Sequence, residues 1–252
     1  MFRTDLSCVT AAILAGGLGT RLRSLVADRP KVLAPVAGRP FLAHLLDQLV
    51  DAGVRETVLL VGHMARLVRE EFAESYRGMR LAYSTEPSPL GTGGAIRLAL
   101  PLFQRETILL LNGDSYCSLD FAAFLHVHRH AGAAASLALA HVPNASRFGR
   151  VVLGKPGRVE RFEEKSAEAC SGWINAGVYL LDRGLIAGVE PGRSISLERE
   201  LMPAWVAAGR VFGFQTSGRF IDIGIPESYR EAEAFFDRQG VRRTDSPVVS
   251  QH

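Results

Sequence analysis

The sequence predicts an α/β fold: a mixed, mostly parallel central sheet covered by helices on both faces. Two observations predict it. Short aliphatic runs alternate along the chain with stretches whose apolar residues recur at helical spacing. Two of those runs, at 10–15 and 107–111, read as buried strands and lead directly into short polar loops. On such sheets ligands sit beyond the carboxyl ends of the strands. That rule singles out the glycine loop after residue 15 and Asp114 after residue 111, before any motif is considered.

The elements follow in order. Residues 10–15 form a strand that ends in Gly16-Gly17-Leu18-Gly19. Pro40 opens a helix whose Phe41, Leu42, Leu45, Leu46, Leu49 and Val50 share one face, and Gly53 stops it. Residues 57–61 are a second strand, 64–72 a helix, 81–84 a third strand, and 91–100 a helix opened by Gly91. Residues 107–111 run into Asn112-Gly113-Asp114. The second half is less regular. It holds a strand at 134–140 and a hairpin of 151–153 with 159–163 around Gly154-Lys155-Pro156-Gly157. Strands at 173–181 and 211–215 and helices at 197–207 and 227–238 complete it. The halves are expected to share one sheet, so residues 1–238 read as a single domain and 239–252 as a flexible, polar tail.

Composition bounds the class. The chain has 252 residues, 47% hydrophobic and 22% charged, close to a globular average and unlike a disordered, collagenous or coiled-coil chain. No apolar run approaches the roughly 18 residues of a membrane span. The first residues lack the apolar core of a secretory signal. Cys8, Cys117 and Cys170 form neither a paired framework nor a C-x-x-C clip, so the expectation is a reduced, cytoplasmic protein. A net charge of +3 spread over dispersed arginines gives no basic stripe, and no nucleic-acid or membrane partner is expected.

The loop after the first strand is built for phosphate. In Leu14-Ala15-Gly16-Gly17-Leu18-Gly19-Thr20-Arg21-Leu22, three glycines allow a tight turn whose N–H groups can form an anion nest. Arg21 adds a fork of donors, and Lys31 after Pro30 adds a compact positive charge. The combination suits a triphosphate. It is not a P-loop, because G-x-x-x-x-G-K-[ST] is absent. It is not the dinucleotide fingerprint either, because the third glycine is missing and the next strand ends in Gly62-His63 without a ribose-binding acid.

Two acids stand at strand ends. A carboxylate at Asp114 can hold Mg²⁺ with phosphate oxygens and waters completing the shell, and Asp222 in Phe220-Ile221-Asp222-Ile223-Gly224 would strengthen the site. Each alone serves equally well as a turn or capping aspartate. Asn175 offers both a donor and an acceptor, which suits a sugar hydroxyl. Glu86 precedes Pro89-Leu90-Gly91-Thr92. As an acceptor-only group it matches the adjacent N1–H and N2–H₂ donors of guanine better than uracil or thymine. His126, His128 and His130 lie on a predicted helix with no accompanying acid motif, and read as packing or surface residues. Ser115 lacks the G-x-S-x-G elbow of a serine hydrolase.

With these motifs in hand, the chain resembles the sugar-1-phosphate nucleotidyltransferases, whose signature is G-G-x-G-T-R-L followed by P-K. The resemblance extends through Pro89-Leu90-Gly91-Thr92-Gly93-Gly94, Asn112-Gly113-Asp114, Phe162-Glu163-Glu164-Lys165, Asn175-Ala176-Gly177-Val178-Tyr179 and Phe220-Ile221-Asp222-Ile223-Gly224-Ile225-Pro226-Glu227. It implies a Rossmann-like, three-layer α/β/α nucleotidyltransferase fold. It also implies Mg²⁺ on Asp114 and Asp222, with Arg21, Lys31 and Asp114 as catalytic residues. Leu14, Ala15, Gly16, Gly17, Gly19, Thr20, Glu86, Gly91, Thr92 and Asn112 are the implied nucleotide contacts. Gly149, Glu164, Lys165 and Asn175 are the implied sugar-phosphate contacts. Within the family the chain is most similar to the short D-glycero-α-D-manno-heptose 1-phosphate guanylyltransferases. The implied reaction is GMP transfer from GTP to a sugar 1-phosphate, giving GDP-heptose for surface polysaccharides. Mannose 1-phosphate guanylyltransferase, a hexose-1-phosphate uridylyltransferase and a non-catalytic nucleotide-sugar-binding subunit are the alternatives. A homo-oligomer is compatible with all of these.

Overall fold

The strands of both halves enter one eight-stranded sheet. In a computed structural model of the chain, the described residues are 6–17, 19, 21–22, 25–148, 150–154, 156–163 and 170–240. Its strands, in chain order, are β1 (Val9–Leu14), β2 (Pro35–Val36), β3 (Arg39–Pro40), β4 (Glu56–Val61), β5 (Ser75–Tyr76), β6 (Met79–Thr85) and β7 (Thr107–Asn112). There follow β8 (Ser115–Cys117), β9 (Ala135–Val142), β10 (Arg150–Leu153), β11 (Val159–Glu163), β12 (Gly172–Asp182), β13 (Val211–Thr216) and β14 (Phe220–Asp222). The helices are α1 (Phe41–Asp51), α2 (Ala65–Phe72), α3 (Gly91–Ala99), α4 (Phe121–His130), α5 (Arg183–Ala187), α6 (Met202–Ala207) and α7 (Pro226–Gly240).

The sheet order is β13-β9-β12-β7-β1-β4-β6-β5. β7, β1, β4 and β6 are parallel, whereas β12 runs antiparallel to both β7 and β9. The sheet is therefore mixed and mostly parallel, as expected. Side-chain alternation separates its two faces. Ala11, Ile13, Leu109 and Leu111 pack with α1, α2, α4 and α7. Ala12, Ile108, Leu110 and Tyr179 pack with α3, α5 and α6. Helices on both faces give three layers, which is why these strands are apolar throughout.

The structure differs from the sequence expectation in several places: the short strands β2, β3 and β5 and the helix α5 are additional, and two further differences bear on the site. The helix expected at 197–207 is divided into a π-turn over Leu197–Leu201 and α6. Pro203 has no N–H to donate back to residue 199, and Leu201 N–H bonds Ser196 O at 3.2 Å instead. The short strand β8 was not anticipated; it pairs antiparallel with β14.

The parallel register aligns the carboxyl ends. Leu14 stands beside Leu60 on one side and Asn112 on the other. Hydrogen bonds continue past the ladder: Ala15 N–H to Leu60 O at 2.7 Å, Glu86 N–H to Val61 O at 2.9 Å and Gly113 N–H to Leu14 O at 3.0 Å. The loops after four strands thus form one continuous edge.

Candidate active site

That edge gathers the residues the sequence singled out. β1 delivers Leu14, Ala15, Gly16, Gly17 and Gly19, the last with a left-handed φ of +58°. Arg21 is exposed in the turn that Leu22 N–H closes onto Gly19 O at 3.0 Å. A small cleft beside this loop is lined by Gly19, Leu22, Arg29, Lys31, His63 and Met64 among others, which brings two cationic side chains next to the glycine loop. Thr20, Gly149, Glu164 and Lys165 lie outside the described residues.

Lys31 opens a short 3₁₀ turn after Pro30, and its Nζ donates to Asp114 Oδ2 at 2.6 Å. The Lys31 side chain is 14% exposed and that of Asp114 42%, so the pair is shielded on the lysine side and open to solvent on the carboxylate side. Asp222 arrives opposite Ser115 in the β8–β14 ladder, and Ile223 N–H bonds the Asp114 carbonyl at 2.8 Å. The two acids, 108 positions apart, are therefore neighbours. Asp222 Oδ2 accepts Gly224 N–H at 3.0 Å, and Arg147 Nη2 donates to both carboxylate oxygens at 3.1 Å each.

These residues fit a magnesium ion. Mg²⁺ takes hard oxygen ligands, commonly one or two carboxylates with substrate phosphates and waters. Asp114 and Asp222 supply two such carboxylates. Glycine at 224 keeps the space between them open: a Cβ there would stand 2.7 Å from Asp222 Oδ2 and 3.5 Å from Lys31 Nζ. Among the described residues no set of three His, Cys, Asp or Glu side chains forms a closed metal cage, which leaves the phosphates to complete a shell.

Glu86 follows β6 and turns inward. Its Oε1 lies against Gly16, where a Cβ would come within 2.6 Å of it, and near Gly62; its Oε2 accepts Leu90 N–H at 2.8 Å. Burial raises the carboxyl above its ordinary value, and the Leu90 N–H partly offsets this. Glu86 and the glycine loop are thus in direct contact rather than being separate surface features.

A polar network missed by sequence reasoning underlies the site. Tyr179 is fully buried; its hydroxyl accepts Asn175 Nδ2–H at 2.8 Å, bonds the Asn112 side chain and donates to Glu198 Oε1 at 3.4 Å. Thr92 Oγ1 donates to Glu198 Oε2 at 2.7 Å and accepts Leu197 N–H at 2.8 Å. Thr92 and Asn175 are therefore engaged with the protein and hold their segments in place. Gly91, with φ +69°, starts α3 beside this network. Asn112 Oδ1 is buried without a hydrogen-bond partner among the described residues. Tyr179 closes the 175–179 motif, but nothing local tied its hydroxyl to Asn112 or Glu198, and Glu198 carried no local signal. Arg147 stood next to Phe148-Gly149, a segment noted only for its glycine.

The histidines carry no chemistry. His126 and His130 are exposed and stack on each other. His128 is buried, and its Nδ1 meets Ser136 Oγ at 2.9 Å with Asp182 Oδ1 3.7 Å from Nε2. Ser136 is only 1% exposed, so this serine–histidine–aspartate set is closed to substrate.

A three-layer sheet with a phosphate loop, a placed lysine and two carboxylates on one edge defines an enzyme that handles nucleotide phosphates. Residues 10–239 match the Nucleotidyl transferase family, and the chain belongs to that family. It is a nucleotidyltransferase. It is 36% identical over 247 residues to mannose-1-phosphate guanylyltransferase of Mycobacterium tuberculosis, spanning 97% of this chain and 68% of that one. It is 34% identical over 223 residues to D-glycero-alpha-D-manno-heptose 1-phosphate guanylyltransferase of Aneurinibacillus thermoaerophilus, spanning 88% and 96%. The crystal structure of HddC from Yersinia pseudotuberculosis complexed with GMP-PN superposes with a TM-score of 0.81 at 32% identity, over 90% of this chain and 99% of that chain.

Proposed function

We propose that the chain transfers GMP from GTP to a sugar 1-phosphate, releasing pyrophosphate. The observation that carries the choice of GTP is Glu86, an acceptor-only side chain lodged against Gly16 of the phosphate loop. The acceptor sugar in this reading is D-glycero-α-D-manno-heptose 1-phosphate. Its support is the resemblance at Glu86, at 89–96, at 162–165 and at 220–227. Mannose 1-phosphate is the competing acceptor, favoured by the relative at 36% identity.

The phosphate of the sugar 1-phosphate attacks the α-phosphorus of GTP in line, forming a P–O bond as the bond to pyrophosphate breaks. No general base is required, because the second pKa of a phosphate monoester is about 6 and the nucleophile is already ionised. The task is to bring two anions together, by positioning and charge stabilisation. Arg21 holds the leaving pyrophosphate and Lys31 offsets charge near the α-phosphate. Lys165 aims the sugar phosphate, and Glu164 and the backbone at Gly149 meet the sugar. Asp114 and Asp222 would hold Mg²⁺, which when bound would supply neutralisation of phosphate charge.

The test is pyrophosphate release with Mg²⁺, each of four NTPs and a panel of sugar 1-phosphates. Release with GTP and the heptose 1-phosphate supports the reading. Release with UTP and not GTP overturns the base assignment, and preference for mannose 1-phosphate overturns the sugar. Asp114→Asn is expected to lower turnover roughly a thousandfold or more while the fold is kept. Near-normal turnover in that variant would remove Asp114 from the metal site.

A further inference from the structure

Each acid of the site carries one cation. Lys31 sits on Asp114 at 2.6 Å, and Arg147 sits on Asp222 through both oxygens at 3.1 Å. The two pairs together are formally neutral. Arg147 itself is 42% exposed, against 14% for Asp222. Its backbone is fixed on either side: Ala145 is buried and bonds Cys170 O at 2.8 Å, and Phe148 N–H bonds Ala145 O at 3.0 Å. The Phe148 ring meets Phe220 edge-on, 5.6 Å between centroids, on the strand that carries Asp222. A set backbone therefore presents a guanidinium on a partly solvent-exposed side chain.

We propose that Arg147 is an exchangeable counterion: it holds Asp222 until a divalent cation occupies the carboxylates, and then turns its guanidinium onto the phosphate of the sugar 1-phosphate. The inference rests on the guanylyltransferase reading above. Arg147 and a divalent cation compete for the same two oxygens of Asp222. Adding that cation beside Lys31 and Arg147 leaves a surplus of positive charge, which drives the mobile guanidinium away. A dianionic phosphate then offers it a partner matched to its planar fork. Phe148, whose ring centre lies 5.0 Å from the Arg147 Cζ, gives the guanidinium a surface to rest on. Metal and sugar phosphate consequently favour each other's binding, and the coupling is reciprocal.

The test uses the full chain with Mn²⁺ alone, read by electron paramagnetic resonance, and separately the KM values for both substrates. Removing the competitor in Arg147→Ala is expected to tighten Mn²⁺ binding about tenfold and raise the KM for sugar 1-phosphate about tenfold, with the KM for GTP unchanged. Arg147→Lys keeps the charge and loses the fork, so both effects are expected with smaller size; it also serves where the alanine variant misfolds. A merely structural role would weaken Mn²⁺ binding, because Asp222 would lose its support. Equal or weaker Mn²⁺ binding in Arg147→Ala, no Mn²⁺ binding by either protein, or an unchanged KM for sugar 1-phosphate overturns the proposal. If the unmodified enzyme releases no pyrophosphate with any sugar 1-phosphate, the functional reading fails, while the Mn²⁺ titration still decides the exchange at Asp222.

Discussion

In the proposed reading, Glu86 selects the base because of what a carboxylate cannot do. It accepts hydrogen bonds and donates none, so guanine's paired donors match it, while the acceptor–donor–acceptor edge of uracil faces it with like charge. Glu86→Gln introduces a donor in the same volume. The expected outcome is a fall in kcat/KM for GTP of roughly 10- to 100-fold, the worth of hydrogen bonds to a charged group, with a rise for UTP. Steady-state kinetics with both nucleotides check this; an unchanged GTP-to-UTP ratio would exclude Glu86 from base contact. Glu86, Lys31, Asp114 and Asp222 were legible in the sequence because each stands at or just past a strand end or within a dense motif. Arg147 and Glu198 were not, and of Tyr179 only its place in the 175–179 motif was. Arg147 acquires its meaning from Asp222, 75 positions away, and Thr92 meets Glu198 106 positions on. No local pattern announces such contacts.

At the scale of elements, α4 is fastened to β9 by a buried histidine. His128 packs under the helix and meets Ser136, and burial pushes its pKa down to about 4, with Arg129 adding to the effect. Asp182, 3.7 Å away, would favour the charged ring, but it is half exposed and burial prevails. The sign follows from linkage. Below pH 6.5 the unfolded chain takes up a proton that the folded chain refuses down to about pH 4, so stability is full above 6.5 and declines as pH falls through that window. Between pH 7 and pH 5 the loss from this site is about 2 kcal/mol. His128→Phe, which keeps a planar ring at somewhat larger volume and cannot be protonated, is expected to remove that share of the decline. Urea midpoints of both proteins at the two pH values measure it; parallel declines would show that His128 is not the source. The helix itself was legible from the sequence, as were the buried strands, because apolar periodicity reports local geometry. The pairing of α4 with β9, the β8–β14 ladder and the π-turn before Pro203 were not, since they depend on tertiary partners and on one absent N–H.

In the proposed reading, one site draws on almost the entire chain. Gly16 and Lys31 come from the start, Glu86 and Asp114 from the middle, and Arg147, Asn175 and Asp222 from the second half. The sheet makes this workable. β12, from the second half, is hydrogen-bonded between β7 and β9, so the β7–β1–β4–β6 edge of the first half has its neighbour supplied by the second. α7 closes the arrangement: Tyr229 Oη–H bonds Pro35 O at 2.7 Å, Glu233 Oε2 accepts Ala37 N–H at 2.9 Å, and Phe236 packs on His44 and Phe41. The C-terminal helix thereby steadies the hairpin that follows Lys31. Neither half can keep its edge strands covered without the other, and we propose that residues 1–238 unfold as one cooperative unit. The protein supplies separate probes. Both tryptophans, Trp173 and Trp205, lie in the second half. Far-UV circular dichroism also reports α1 to α4, which lie in residues 41–130. Urea transitions followed by fluorescence and by dichroism are expected to coincide, as a two-state unit requires. A tryptophan transition well separated from the dichroism transition would instead show that the two halves hold their structure independently, and that the shared sheet does not couple them.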